Sequence, residues 1–146
     1  MRDKLGLFGE DKNDRELISN LLNWMENNKA DYTNTFCYLM NFKVKGSKKY
    51  NDKSFVNWLD IWKKRSLINN SSKEKQINIM QNVNPSVIPR NHKVEEALES
   101  ANSGDLNPTK NLLKILEKPY ENKKEINEYQ LPAPPSDKIY KTFCGT

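Results

Sequence analysis

Apolar residues in this chain return every three or four positions, and they nowhere alternate with polar ones over a useful length. A stripe of that period can be buried on one side of an α-helix, whereas a strand needs a period of two. The chain is thereby confined to an all-α fold. Leu17, Ile18, Leu21, Leu22 and Met25 form an i, i+4, i+8 stripe over residues 14–29, behind Asn13 as N-cap. Asp31 is placed to cap a second helix holding Phe36, Leu39 and Met40. A third starts at Asp52 or Ser54, with Phe55, Leu59 and Trp62 on one stripe and Trp58, Ile61 and Arg65 on the adjacent face.

The breaks between stripes are equally legible. Met1–Leu5 reads as the end of a helix, with Gly6 at the left-handed cap and Leu7 folding back. Residues 43–51 read as an exposed loop. Ser71 and Glu74 have the spacing of a capping box for a helix running through Ile77 and Met80 to about Val83. Asn84-Pro85 and Ile88-Pro89 force an extended turn, because a residue before proline avoids the helical region. Asn91 then caps a helix carrying Val94, Ala97, Leu98 and Ala101 on one face, ended by Gly104. Asn107-Pro108 is an N-cap followed by a proline at the first helical position, and Pro119 stops the helix it opens. Residues 121–129 are expected to add one more short helix. The expectation is an irregular bundle of five to seven short helices over residues 1–130. An extended Pro-rich tail, residues 131–146, carries Cys144.

At 146 residues the chain has the length of one domain, able to bury about 68–70% of its unfolded surface. Its 36% hydrophobic content and mean hydropathy of −0.91 point to a thin core, or one that borrows apolar surface from a neighbour. No apolar run approaches the ~20 residues of a membrane span, and residues 1–10 lack the apolar core of a signal peptide. A cytoplasmic location, with no membrane partner, is the resulting expectation.

Charge is uneven. Residues 43–75 hold ten Lys or Arg against three Asp or Glu, a balance of +7, while residues 1–42 sum to −2 and residues 76–146 to zero. Such a block can bind RNA or an acidic protein, or it can be a solvated loop and helix face. Lysines outnumber arginines twenty to four, and Arg65 is the block's one arginine, which weighs against bidentate phosphate recognition. Trp58 and Trp62 fit base stacking, a partner groove or, at i, i+4, core packing.

Chemistry-bearing residues are few. His92 is the one histidine, and it cannot build a zinc site unaided. Arg90 and Asn91 follow the rigid Val87-Ile88-Pro89 segment and read as a structural clamp between turn and helix. Five unclustered glycines and no Gly-Lys-Ser/Thr motif leave no phosphate loop, so no cofactor or metal site is expected in this chain. Cys37 falls in a helical pattern and reads as a small core residue. Cys144, third from the end of a Pro-rich tail, is either an exchangeable thiol or an inert terminal residue.

Several ordered segments resemble the selenoprotein O (SelO) family, kinase-fold enzymes, once classed with pseudokinases, that transfer AMP from ATP onto protein hydroxyls. They are Met1–Phe8, Asp31-Tyr32-Thr33-Asn34-Thr35-Phe36, Val83–Leu98 with Gly104-Asp105-Leu106, Lys118-Pro119-Tyr120 and the ending Ile139–Thr146. In some members the antepenultimate position, here Cys144, is selenocysteine. The resemblance covers the C-terminal third of such an enzyme, and the family's nucleotide-binding residues lie upstream of it. It implies a C-terminal helical region that buttresses a missing N-terminal kinase-like domain and is inactive alone. ATP with Mg or Mn would act in the full-length enzyme, on protein substrates. It further implies that Cys144 pairs with a cysteine of the kinase-like domain and makes activity redox-dependent. Excision would uncover apolar surface at Leu5, Leu7, Phe8, Val87 and Ile88, and a dimer could cover it. The alternative is a non-enzymatic helical module binding RNA or an acidic protein through residues 43–75.

Overall fold

Helices account for every regular element in the structure, a computed structural model that describes residues 1–44, 46–68, 72–123 and 126–134. Among the described residues there are six α-helices and no strand. They are α1 (Asp14–Asn27), α2 (Tyr32–Leu39), α3 (Lys53–Ser66), α4 (Lys73–Val83), α5 (Asn91–Asn102) and α6 (Asn107–Leu116). Two 3-10 turns, Asp3–Leu5 and Ser47–Asn51, precede α1 and α3. The all-α expectation holds. Residues 126–130 form turns, closed by Gln130 N–H donating to Ile126 O at 3.0 Å, where a further helix was expected. No helix among the described residues is long and apolar enough to cross a membrane.

Short polar side chains set most of the helix starts. Asp31 accepts from the Asn34 amide at 2.8 Å, and Asp52 accepts from the Ser54 and Phe55 amides at 3.1 and 3.2 Å. Asn13 sits at the cap of α1, but its backbone is already helical (φ −88°, ψ −5°) and its side chain makes no cap bond. Ser72, not Ser71, caps α4, accepting from the Lys75 amide at 3.2 Å; Ser71 lies outside the described residues. In α5 the cap position belongs to Arg90 (φ −76°, ψ 132°), and Asn91 is the first helical residue, one place later than the sequence suggested. The extended geometry enforced around Pro89 ends one residue sooner than expected, so Asn91 is already in the helix and cannot cap it. In α6, likewise, Leu106 holds the cap position, and Asp105 accepts from the Asn107 amide at 2.9 Å.

The chain divides into two compact units. The first comprises residues 1–86 with 120–122; the second comprises 87–119 and, among the described residues, 123 and 126–134. In the first, Leu5, Leu21, Phe36, Phe55 and Met80 are wholly buried, and Trp24, Tyr38, Tyr50 and Phe55 form a continuous aromatic cluster. Tyr50 explains why residues 47–51 are not a loose loop. Its ring stacks on Tyr38 at 4.1 Å and its hydroxyl meets Thr35 Oγ1 at 3.2 Å, which ties the 3-10 turn to α2.

The N-terminal segment is fastened into this unit at several points. Gly6 takes a left-handed conformation (φ 61°) and donates to Asp3 O, and Leu7 donates to Arg2 O at 3.1 Å, so the chain reverses as expected. The tight approach of α4 demands glycine there, because a Cβ would lie 2.9 Å from Gln76 O. Asn84 Nδ2 donates to Lys4 O at 2.9 Å, and Lys4 Nζ donates to Val83 O at 3.1 Å. Leu5 and Leu7 are therefore buried, not uncovered; Val87, in the second unit, is buried too, and Phe8 and Ile88 are half-buried. The expected exposure of Leu5 is overturned because α3 and α4 already cover it within the chain.

In the second unit α5 and α6 pair as a helical hairpin, with Thr109 Oγ1 donating to Ala97 O at 3.2 Å. Ala97 and Leu112 are buried. Leu98 was expected beside Ala97 on the buried face, but it is 57% exposed.

Candidate functional site

The chain holds two cysteines. Cys144 lies outside the described residues. Cys37 is fully buried in α2, with Sγ 3.8 Å from Pro85 O and 3.9 Å from Ser86 O. A thiol so enclosed has no approach for an oxidant, which agrees with a core role. It also holds the end of α4 and the following turn against α2.

Arg90, Asn91 and His92 lie together at the start of α5. Arg90 is half-buried in the cap position, Asn91 is exposed, and His92 is partly buried. Burial lowers the His92 imidazole below its ordinary range, and Glu96, one turn on, partly opposes that.

The strongest electrostatic feature joins α1 to α3. Arg65 donates from Nε to Asp14 Oδ1 at 2.6 Å and from an Nη to Asp14 Oδ2 at 3.0 Å, a bidentate pair with both side chains buried. Its remaining donors reach Phe8 O at 3.2–3.3 Å and Gly9 O at 3.4 Å. The Arg65 hydrogen bond holds the Asp14 carboxyl below the usual carboxylate range, against the opposing effect of burial. The one arginine of the basic stretch is thus committed to structure. Sequence reasoning placed Arg65 on the right face but missed Asp14, because no local spacing reports a partner 51 residues away.

The tryptophans behave likewise. Trp62 donates to Leu5 O at 2.9 Å, Trp58 to Leu17 O at 2.8 Å and Trp24 to Asp52 Oδ2 at 2.9 Å. Trp58 and Trp62 stack with ring centroids 6.1 Å apart and are buried, so neither offers a face to a base. Core packing is their role. Among the described residues, the lysines of the stretch, such as Lys43, Lys48, Lys53, Lys64 and Lys75, stay exposed.

A groove of about 370 Å³ runs between α1 and the face of α3 that carries Trp58 and Ile61. Leu17 and Trp58 form its floor, and Ile61 and Ile68 stand at its edge, 57% and 47% exposed. Among the described residues no three His, Cys, Asp or Glu side chains converge as a metal site requires.

Comparison with known proteins gives a consistent result. The family described as "Protein adenylyltransferase SelO" matches residues 1–117. The chain is 52% identical, over all 146 of its residues, to the protein nucleotidyltransferase YdiU of Pelagibacter ubique. It is 45% identical to that of Alkaliphilus metalliredigens and 42% to that of Nitrosococcus oceani, again over its full length. It spans about 30% of the length of each of these curated relatives.

Proposed function

The chain belongs to the protein adenylyltransferase SelO family, and on that premise we propose that it is the helical buttress of a longer protein nucleotidyltransferase. In this reading the longer protein moves AMP from ATP onto hydroxyl groups of protein substrates. The chain braces a kinase-like catalytic region and does no chemistry of its own. The observation that carries the reading is the end-to-end match at 52% identity to a protein of which the chain makes up 30%. The use of the polar side chains supports it. Arg65, Asp14 and the three indole N–H groups are turned inward onto the fold.

ATP and a divalent Mg or Mn ion belong, in this reading, to the rest of the protein. The described residues of this chain do not fit either group, since no three carboxylate, histidine or cysteine side chains converge among them and the glycines at 6, 9, 46 and 104 are scattered single turns. The tail Cys144 supplies the regulatory part of the proposal. Its thiol joins a cysteine of the kinase-like region in a disulfide, two electrons and two protons passing to a low-molecular-weight disulfide. That bond ties the tail to the catalytic region and makes AMP transfer redox-dependent.

The test uses ATP labelled in its AMP moiety, Mg or Mn, and a generic protein substrate. This chain alone is expected to give no transfer above background. The same chain replacing its counterpart in the Pelagibacter ubique relative is expected to sustain transfer. Labelling by the isolated chain, or none by a folded chimera, overturns the reading.

A further inference from the structure

The groove between α1 and α3 has an apolar floor and exposed isoleucines at its edge. Trp58, Ile61 and Arg65 follow one another on α3 at steps of three and four, the spacing of one helix face, and Ile68, in the turn just past the helix, continues that wall. Leu17 on α1 closes the floor. The buried charges beneath, Asp14 and Arg65, are already satisfied by each other and by main-chain carbonyls, so an apolar occupant would strand no charge. The rims differ in sign. Glu16 stands exposed on the α1 side and Lys64 on the α3 side.

We propose that this groove seats an amphipathic helix from the remaining part of the longer protein. That helix carries apolar side chains at i, i+3 or i+4 and i+7, a basic residue beside Glu16 and an acidic residue beside Lys64. The proposal rests on the reading that the chain is a buttress within a longer protein. Two observations choose this occupant. Roughly seven-tenths of each curated relative's length lies outside the chain, covalently attached and able to supply a helix at high effective concentration. The opposed rim charges also fix one direction for the incoming helix, which suits a single dedicated partner. Ile61 and Ile68 would then pass from about half exposed to buried.

Thiol footprinting tests it. Ile61→Cys, Ile68→Cys and, as a site outside the groove, Leu98→Cys are each made in a Cys144→Ser background. Each is placed in the isolated chain and in the chimera with the Pelagibacter ubique relative. Labelling of Ile61→Cys and Ile68→Cys by a maleimide is expected to slow at least tenfold in the chimera relative to the isolated chain. Equal rates in a chimera that still transfers AMP overturn the groove proposal and leave the buttress reading standing. A folded chimera that transfers no AMP overturns the buttress reading, and the proposal with it. Slow labelling in the isolated chain that dilution relieves assigns the groove to a second copy of the chain. Slow labelling relieved by ending the chain at residue 134 assigns it to the chain's own tail. Either result overturns the proposal. Circular dichroism of each variant confirms that the helices are intact, as expected for exposed positions.

Discussion

Trp62 donates its indole N–H to the main-chain carbonyl of Leu5, 57 residues earlier, at 2.9 Å. Both residues are buried, so the bond has no water to replace it. Trp62→Phe keeps one aromatic ring, removes the donor and leaves a small gap where the pyrrole ring stood. Leaving a buried carbonyl short of its partner costs about 1–3 kcal/mol. A thermal melt should fall by several degrees, since about 1 kcal/mol shifts a chain of this size by ~2–4 °C. An unchanged melt would mean that Gln76, whose Nε2 lies 3.5 Å from the same oxygen, takes over the bond.

Asp14 and Arg65 predict an acid limb. The folded-state pKa of Asp14 is lowered, so the stability it contributes is fully present above the unfolded carboxylate value, near pH 4. That stability is lost as pH falls through the lowered folded value. Asp14→Ala strands a buried guanidinium and should cost about 3–5 kcal/mol at pH 7. Denaturant midpoints from pH 7 down to pH 2 should show the gap between parent and variant closing at the acid end. A constant gap would remove the ion pair from the explanation.

Gly6→Ala is expected to destabilise by about 2–5 kcal/mol. The left-handed backbone costs ~1–2 kcal/mol for any residue with a Cβ, and overpacking against Gln76 adds ~1–3. Gly104→Ala has a φ of 90° but open space around it, and it should cost only the conformational part. Comparing the two urea midpoints separates the steric share from the backbone share.

Cys37 should resist maleimide in the native chain and react at once in denaturant, given its complete burial. Cys144 is expected to label quickly. On the proposed reading, Cys144→Ser in the longer protein should abolish any response of AMP transfer to reductant. A response that survives the substitution would return Cys144 to an inert terminal residue.

The basic stretch should not bind nucleic acid. With Trp58, Trp62 and Arg65 turned inward, the cations left exposed among the described residues of the stretch are lysines. A gel shift at low salt is expected to show no defined complex with RNA. A shifted band that weakens steeply between 50 and 200 mM salt would revive the alternative through counterion release.

Helix existence could be read from the chain because its cause is local. The stripe of Leu17, Leu21 and Met25, the caps Asp31 and Asp52, and the Gly6 reversal all act within four or five residues. Boundaries slipped where two neighbours compete for one cap, as at Ser71 and Ser72 or at Arg90 and Asn91. What stayed hidden was tertiary. Nothing local says that Asp14 finds Arg65, that Asn84 reaches Lys4, or that Leu98 stays outside while Ala97 goes in. The groove was hidden for the same reason, since its two walls come from helices separated by α2.

The fastening of residues 1–9 also sets a timetable during synthesis. Their partners are Trp62, Arg65 and Asn84, the last 80 residues downstream. At a translation rate of roughly 5–20 residues per second, Lys4 leaves the ribosome about 4–16 s before Asn84 exists to meet it. During that interval Leu5 and Leu7 are bare apolar side chains on a nascent chain. They lose that exposure when α3 and α4 have formed and close over them.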